Sequence, residues 1–215
     1  VPNGHVPILS YYTFYNVGAR MERPGITGAS HFLEHMMFKG AKKFGPGEFD
    51  RVIEDIGGHN NAYTSSDQTV YFENFPSSGL EKILKLEADR MVNLALEDKA
   101  FTLEKDVVLE ERKMRYENSS SGQIFLTMGQ EMFRGTPYGG SVLGDIPDIV
   151  RVTRDEVYDY FKTHYHPANA VVVIVGSMDV DQVKGQVRKY LGPIPARADH
   201  LTSALKEPES YALLP

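Results

Sequence analysis

Three segments of the chain carry the residues and spacing that favour β-strands. Residues 10–17 and 68–75 are rich in Tyr, Phe, Thr and Val, and Ala170 to Val175 is an unbroken apolar run. β-Branched and aromatic side chains pack well on a pleated sheet, and a continuous apolar run is typical of a strand covered on both faces. The pattern therefore predicts three strands, of which the last is buried.

The segments between these strands follow the period of amphipathic helices. The clearest helix has apolar residues at i, i+3, i+4 and i+7 from Phe49, begins at Pro46 and ends at Gly57. An earlier helix is expected to begin after Thr27 as its N-cap and to end near Gly40. Further helices are predicted over residues 79–96, 99–116, 123–133, 153–165 and 179–191.

Strands and helices alternate irregularly along the chain, and pairs of helices separate successive strands. That order favours an α+β fold, with a mostly antiparallel sheet and helices packed on one face, over a doubly wound parallel sheet. Residues 1–195 are predicted to form a single domain. The polar, irregular segment 196–215 is predicted to be a linker toward a second domain that this sequence does not contain.

Composition narrows the class of protein without identifying a function. Of 215 residues, 41% are hydrophobic and 24% are charged, as in ordinary globular proteins. A net charge of -6 without a basic run argues against nucleic-acid binding, and no apolar stretch approaches the ~20 residues of a membrane span. The absence of Cys excludes disulfides and thiolate ligands. The chain starts at Val1 without a signal-peptide pattern, which leaves its compartment open.

The first candidate for chemistry is the pattern His31-Phe-Leu-Glu34-His35. On a helix, positions i and i+4 share a face, so His31 and His35 direct two imidazoles to one point with Glu34 beside them. Two nitrogen ligands and a carboxylate base are what a hydrolytic zinc requires, and this spacing is the inverzincin signature. The alternative is a surface helix with two solvated histidines. The apolar flanks from Phe32 to Phe38 disfavour it, because buried ionisable groups need partners.

A third metal ligand must come from another His, Glu or Asp, since the chain has no Cys. The predicted helix over 99–116 is acidic, and the seven-residue spacing of Glu104 and Glu111 places them on one face. Glu110 is expected to point outward and to pair with Lys113. Spacing leaves open whether Glu104 or Glu111 is the ligand. Three apolar neighbours indicate that their side of the helix faces the interior: Leu103, Val107 and Val108.

Motifs along almost the whole chain extend this pattern. They are Asn16-Val-Gly-Ala-Arg20, Gly25 to Gly40 around the histidines, Gly57-Gly58 with Asn61 to Ser65, the acidic helix Glu104 to Glu111, and Tyr165-His-Pro-Ala-Asn169 followed by Val171 to Gly176. In this combination the sequence resembles the pitrilysin/insulinase family of zinc peptidases, the inverzincins, and most of all its mitochondrial-processing-peptidase branch. The resemblance implies the N-terminal catalytic domain of such a peptidase, with one Zn2+ per chain.

The resemblance also implies a role for each acidic and imidazole position of the motifs. His31 and His35 would bind zinc, and Glu111 falls where the family has its third ligand. Glu34 would be the general base. Glu104 falls where the family has a carboxylate that supports a metal-binding His. All five residues are present, which favours an active metalloendopeptidase over the family's non-catalytic partners.

The resemblance further implies a peptide substrate that pairs, as an added strand, with the edge of the sheet. Residues 60–66 match the family's edge strand, and Asn61 and Ala62 are the expected substrate-binding positions. The alternative is that residues 57–61 form only a helix cap followed by a turn.

Members of the family carry a second homologous domain, or a partner subunit, that closes a chamber over the zinc. Neither this second half nor the Arg-Tyr pair that it contributes is expected in these 215 residues. The family's opening strand, before the loop at Pro2 to Pro7, is also expected to be missing. We therefore expect little or no peptidase activity from the chain alone.

Three other functions share parts of the pattern. S-ribosylhomocysteine lyase-like proteins share the motif but use a Cys near the metal, which is absent here. A non-catalytic subunit of a larger assembly, like the core subunits of respiratory complexes, does not need intact His31, Glu34, His35 and Glu111. A metal-storage or metal-sensing module needs no base beside the metal. The sequence therefore favours a zinc-dependent endopeptidase.

Overall fold

The structure is a computed structural model that describes residues 6–196. Its strands and helices are, in chain order, β1 (Ile8–Tyr15), α1 (Ala29–Met36), α2 (Glu48–Asp55), β2 (His59–Thr64), β3 (Thr69–Pro76), α3 (Leu80–Asn93), α4 (Asp98–Arg112), α5 (Ser120–Met132), α6 (Ile146–Arg151), α7 (Arg154–His164), β4 (Ala170–Gly176) and α8 (Val180–Tyr190). A π-helical turn, Lys113–Glu117, continues α4. All predicted strands and helices are present, and β2 and the short α6 are additional to the hydrophobic pattern.

The four strands form one antiparallel sheet in the order β2-β3-β1-β4. At its centre, Tyr12 of β1 pairs with Phe72 on one side and Val173 on the other. The predicted α+β class is confirmed. The strands β2 and β4 form the two edges of the sheet within the described residues.

Helices cover one face of this sheet. On β1, Leu9, Tyr11 and Tyr15 are buried in two clusters to which the helices contribute most of the other side chains. The opposite face carries the partly exposed Tyr12, and Val171 on β4 is 62% exposed. The prediction that β4 is buried is wrong, because no helix among residues 6–196 covers this outer face.

A buried group of charges joins α3 to the sheet. Arg90 of α3 is 1% exposed, and its Nη2 lies 3.0 Å from Glu73 Oε1 and 2.6 Å from Glu87 Oε1. Its guanidinium carbon lies 4.5 Å from the ring centroids of both Phe49 and Tyr71. Burial and the nearby Glu87 carboxylate raise the pKa of Glu73 well above its ordinary value. The guanidinium is the partner of two buried acidic side chains, so its removal is expected to destabilise the core.

Two sequence predictions concern the chain's ends and its relation to a membrane. The predicted linker 196–215 lies outside the described residues except for Ala196, and so does most of the loop Pro2 to Pro7. Between residues 6 and 196, no helix combines the length and the apolar character that crossing a membrane requires.

Candidate metal centre

The helix that carries the two histidines begins at a glycine. Gly28 is the N-cap of α1 and has φ 88°, a left-handed conformation that disfavours residues with a Cβ. A Cβ at Gly28 would also lie 2.7 Å from the carbonyl oxygen of Leu143. The Thr27 hydroxyl instead donates to Asp148 Oδ2 at 2.8 Å. The predicted Thr27 cap is therefore wrong, because a partner distant in sequence binds that hydroxyl.

The Glu22 carboxylate takes the place of the missing side-chain cap. Its two oxygens accept hydrogen bonds from the backbone N–H groups of Gly28 (2.6 Å) and Ser30 (2.7 Å), which a helix start otherwise leaves unpaired. Burial raises the pKa of Glu22 to about 7, although these hydrogen bonds oppose the rise. Glu22 thus fixes the first turn of α1, directly before His31.

We expect the contribution of Glu22 to stability to fall as the pH rises from its ordinary pKa of 4.5 to about 7. In this window the folded chain keeps a proton that the unfolded chain has released, so rising pH disfavours folding. The Glu22→Gln variant has no such proton. The difference in free energy of unfolding between wild type and variant should therefore change by on the order of 2 kcal/mol across the window.

Urea unfolding of both proteins at the two ends of this pH window measures that change. Glu48→Gln is a matched control, since it removes an exposed carboxylate that also accepts a backbone N–H, from Gly45 at 2.7 Å. A wild-type minus Glu22→Gln difference that stays constant with pH would show that the Glu22 pKa is not raised.

Three donor groups converge on one point beside α1. His31 Nε2 lies 3.4 Å and His35 Nε2 lies 3.2 Å from the same atom, Oε2 of Glu111. The two ring centroids are 4.6 Å apart, and donor atoms of the three residues all lie within 4.8 Å of one another. Among residues 6–196, this is the one group of His, Cys, Asp and Glu close enough to hold a metal ion. The structure thus brings together the three ligands expected from the sequence, while their role in binding metal stays a prediction.

Glu104, also on α4, contacts the other nitrogen of the second histidine. Its Oε1 lies 2.8 Å from His35 Nδ1, and its Oε2 lies 2.8 Å from Lys39 Nζ. A carboxylate bound to one ring nitrogen fixes the tautomer and orientation of the imidazole. Glu104 therefore holds the His35 ring with Nε2 directed at Glu111.

The inward face of α4 differs in part from the prediction. Leu103 and Val107 are 58% and 49% exposed, so the expectation that they face the interior is wrong. The outward pair of Glu110 and Lys113 is confirmed, at 2.5 Å. Residues spaced three and four apart form one buried row along a helix. Leu103 and Val107 do not belong to the buried row of α4. The buried row consists of Phe101, Glu104, Val108 and Arg112.

The carboxylates around His35 make the site favourable for positive charge. Burial lowers the pKa of His35, but hydrogen bonds with Glu104 and Glu111 outweigh it and raise the pKa to about 9. Hydrogen bonds with His31 and His35 hold the pKa of Glu111 far below its ordinary range. An anionic oxygen and two ring nitrogens are donors that zinc accepts, and a bound cation would replace the ring proton. The residues present therefore fit a divalent metal.

Glu34 lies between the two histidines in sequence and contacts the sheet. Its Oε2 accepts a hydrogen bond from the hydroxyl of Thr64, the last residue of β2. Glu34 is partly exposed. One carboxylate oxygen is therefore fixed by β2, on the residue directly before His35.

Asn61 and Ala62 lie on β2, which pairs with β3 and has no strand of the described chain on its other edge. The Ala62 N–H donates to the Asn61 side-chain oxygen at 2.8 Å. The predicted edge strand is confirmed through Thr64, and the alternative that residues 57–61 form only a cap and a turn is wrong, because β2 begins at His59.

Four residues that contact the site were not predicted. Lys39 lies beyond the end of α1 and contacts Glu104, and Arg115 lies one turn beyond Glu111, whose Oε1 it contacts at 2.7 Å. The i, i+4 rule for helices provides a signal for Arg115 but not for Lys39. Thr64 binds Glu34 from β2, and Glu22 binds the backbone at the start of α1, so the spacing of the motif residues indicates neither.

The sequence matches two protein-family models. The model described as Insulinase (Peptidase family M16) matches residues 13–146, more than half of the chain. The model described as Peptidase M16 inactive domain matches residues 151–213. All the candidate site residues lie within the first match.

Individual relatives agree with this assignment. The zinc protease PqqE of Helicobacter pylori is 34% identical over 183 residues, 85% of this chain and 41% of that protein. A probable mitochondrial-processing peptidase subunit beta of Arabidopsis thaliana is 33% identical over 200 residues, 91% of this chain and 37% of that protein. The crystal structure of a protease from Helicobacter pylori has a TM-score of 0.91 at 32% identity, covering 97% of this chain and 51% of that chain. The chain spans about two fifths of the length of these curated relatives. It belongs to the insulinase family of peptidases, family M16.

Proposed function

We propose that the chain is the N-terminal catalytic domain of a zinc-dependent endopeptidase. In this proposal His31, His35 and Glu111 hold one Zn2+. The observation that carries it is the convergence of two imidazole Nε2 atoms on one oxygen of Glu111. The name zinc protease, borne by a relative at 34% identity, supports the choice of metal.

Different residues of the chain have different roles in the proposed reaction. Zinc, when bound, makes water more acidic and polarises a peptide carbonyl. Glu34 accepts the proton of the attacking water and passes it to the leaving amine. The Thr64 hydroxyl holds one oxygen of Glu34, and Glu104 holds the ring of His35. Glu34 and His35 are thus each held in place by a second side chain that does not react.

The free edge of β2 is the proposed binding site for the peptide. An extended peptide adds to a sheet edge through backbone hydrogen bonds. The N–H of Ala62 now bonds to the Asn61 side chain, and a peptide carbonyl would take the place of that oxygen. Because Thr64 at the end of the same strand binds Glu34, a peptide on β2 lies next to the proposed base.

The active enzyme is proposed to need a second homologous domain or a partner subunit. The chain spans 41% of the related zinc protease and 51% of the related crystal structure, which supports this requirement. We expect one zinc per chain, little cleavage by the chain alone, and chelator-sensitive cleavage once the second domain or the partner subunit is supplied. Elemental analysis measures the zinc content, and a fluorogenic peptide library measures cleavage with and without chelator.

Two results would contradict this proposal. Absence of zinc from the purified, zinc-supplemented chain would show that the proposed metal site does not bind zinc. Robust hydrolysis by the isolated chain would show that activity does not require a second domain or a partner subunit.

The alternative is a non-catalytic, metal-binding subunit of a larger assembly. The match of residues 151–213 to an inactive-domain model favours it. Zinc binding without any cleavage, even with the second half present, would establish this alternative. The presence of Glu34 on the same helix as the two histidines favours the enzyme, because metal binding alone needs no base.

A further inference from the structure

The two oxygens of Glu111 have different partners. Oε2 faces His31 Nε2 at 3.4 Å and His35 Nε2 at 3.2 Å. Oε1 lies 2.7 Å from Nη2 of Arg115. The side chain of Glu111 is 22% exposed and that of Arg115 is 61% exposed, so the guanidinium lies at the solvent side of the site. The carboxylate is thereby held from both ends.

A change of helix type directly follows Glu111. Helix α4 ends at Arg112, and the chain continues as the π-helical turn that contains Arg115. Such turns are rare and occur frequently at functional sites. The other cations around this turn are engaged elsewhere, since Arg112 pairs with Glu117 and Lys113 pairs with an outward glutamate. Arg115 alone among these three contacts the carboxylate at the donor set.

A carboxylate can present one oxygen or both to a metal. A charge-assisted hydrogen bond from a guanidinium occupies Oε1 and restrains rotation of the carboxylate. We propose that Arg115 is a positioning residue that selects Oε2 of Glu111 as the oxygen facing the metal. The inference rests on the proposed zinc site.

The positive charge of Arg115 has an opposing effect, because it repels a cation bound nearby. Solvent screens that repulsion, since the guanidinium is largely exposed. The orienting contact is direct and involves a group fixed on its other side by two imidazoles. Partners that orient a metal ligand typically contribute about 10–100-fold to metal affinity, so orientation outweighs repulsion here.

The test uses the 215-residue chain and two readouts that do not depend on peptidase activity. Zinc affinity is measured by competition with a chelating dye, and the absorption spectrum of the Co2+-substituted chain reports the coordination number. Arg115→Met is expected to weaken zinc binding about tenfold and to lower the intensity of the Co2+ bands as the second oxygen becomes available. Arg115→Lys, which keeps a charge and a donor, is expected to restore most of the zinc affinity and most of the Co2+ band intensity. Lys113→Met, on the same turn, is the matched control and should match wild type.

Unchanged or tighter zinc binding by Arg115→Met, with an unchanged Co2+ spectrum, would overturn this inference and leave the zinc site intact. Failure of the wild-type chain to bind zinc would overturn both. Circular dichroism of each variant verifies the fold, which an exposed side chain at position 115 is expected to leave unaltered.

Discussion

The Glu34→Gln variant is expected to retain zinc and to lose peptide hydrolysis. Gln has nearly the same size as Glu and keeps an oxygen that accepts the Thr64 hydrogen bond, so the site keeps its geometry. The amide cannot take a proton from water. Positioned general bases contribute typically 10²–10⁴-fold, so we expect the turnover number to fall by about 10³-fold.

The measurement compares peptide cleavage and zinc content on the same samples, with the second half of the enzyme supplied. Glu110→Gln is the control, because it makes the same chemical change on the outward face of α4, where Glu110 pairs with Lys113. It should keep full activity. Full activity in Glu34→Gln would show that another group is the base.

Glu111→Ala is expected to deprive the chain of zinc. The substitution removes the oxygen that both imidazole Nε2 atoms face and leaves two ligands in place of three. The loss of affinity should exceed the about 10–100-fold that is typical of residues that only support a ligand. Dye competition gives the affinity, and elemental analysis gives the stoichiometry.

Two further substitutions on α4 separate the candidate ligands. Glu104→Ala should weaken zinc binding less than Glu111→Ala does, because Glu104 contacts the nitrogen of His35 that faces away from the donor set. Glu110→Ala should leave zinc binding unchanged. Unchanged zinc in Glu111→Ala, together with a loss in either of the other two, would transfer the role of third ligand to that residue.

Features that depend on helix geometry were predictable from the sequence. The repeat of the α-helix places His31 and His35 on one face, and it also places Glu104 and Glu111 on one side of α4, where both reach His35. Spacing alone did not indicate which of the two glutamates is the metal ligand. The docking of α4 on α1 gives them different positions, since it aligns Glu104 with Nδ1 and Glu111 with Nε2 of His35, which supports the proposal that Glu111 is the ligand.

Features that depend on contacts between distant segments were not predictable in this way. The Thr27 hydroxyl binds Asp148 in place of its own helix, and Arg90 meets Glu73 inside the core. The first contact spans 121 residues and the second joins a strand to the helix that follows it, so the periodicity of a single element contains neither. The apolar run of β4 likewise indicates a strand, but it carries no information on whether a second layer covers the outer face.

Zinc-edge anomalous diffraction from crystals of the zinc-loaded chain tests the proposed site most directly. We predict one peak, about 2.0–2.2 Å from His31 Nε2, His35 Nε2 and one oxygen of Glu111. A map without a peak at this position, or a peak that the Glu111 carboxylate does not reach, would contradict the proposed metal centre.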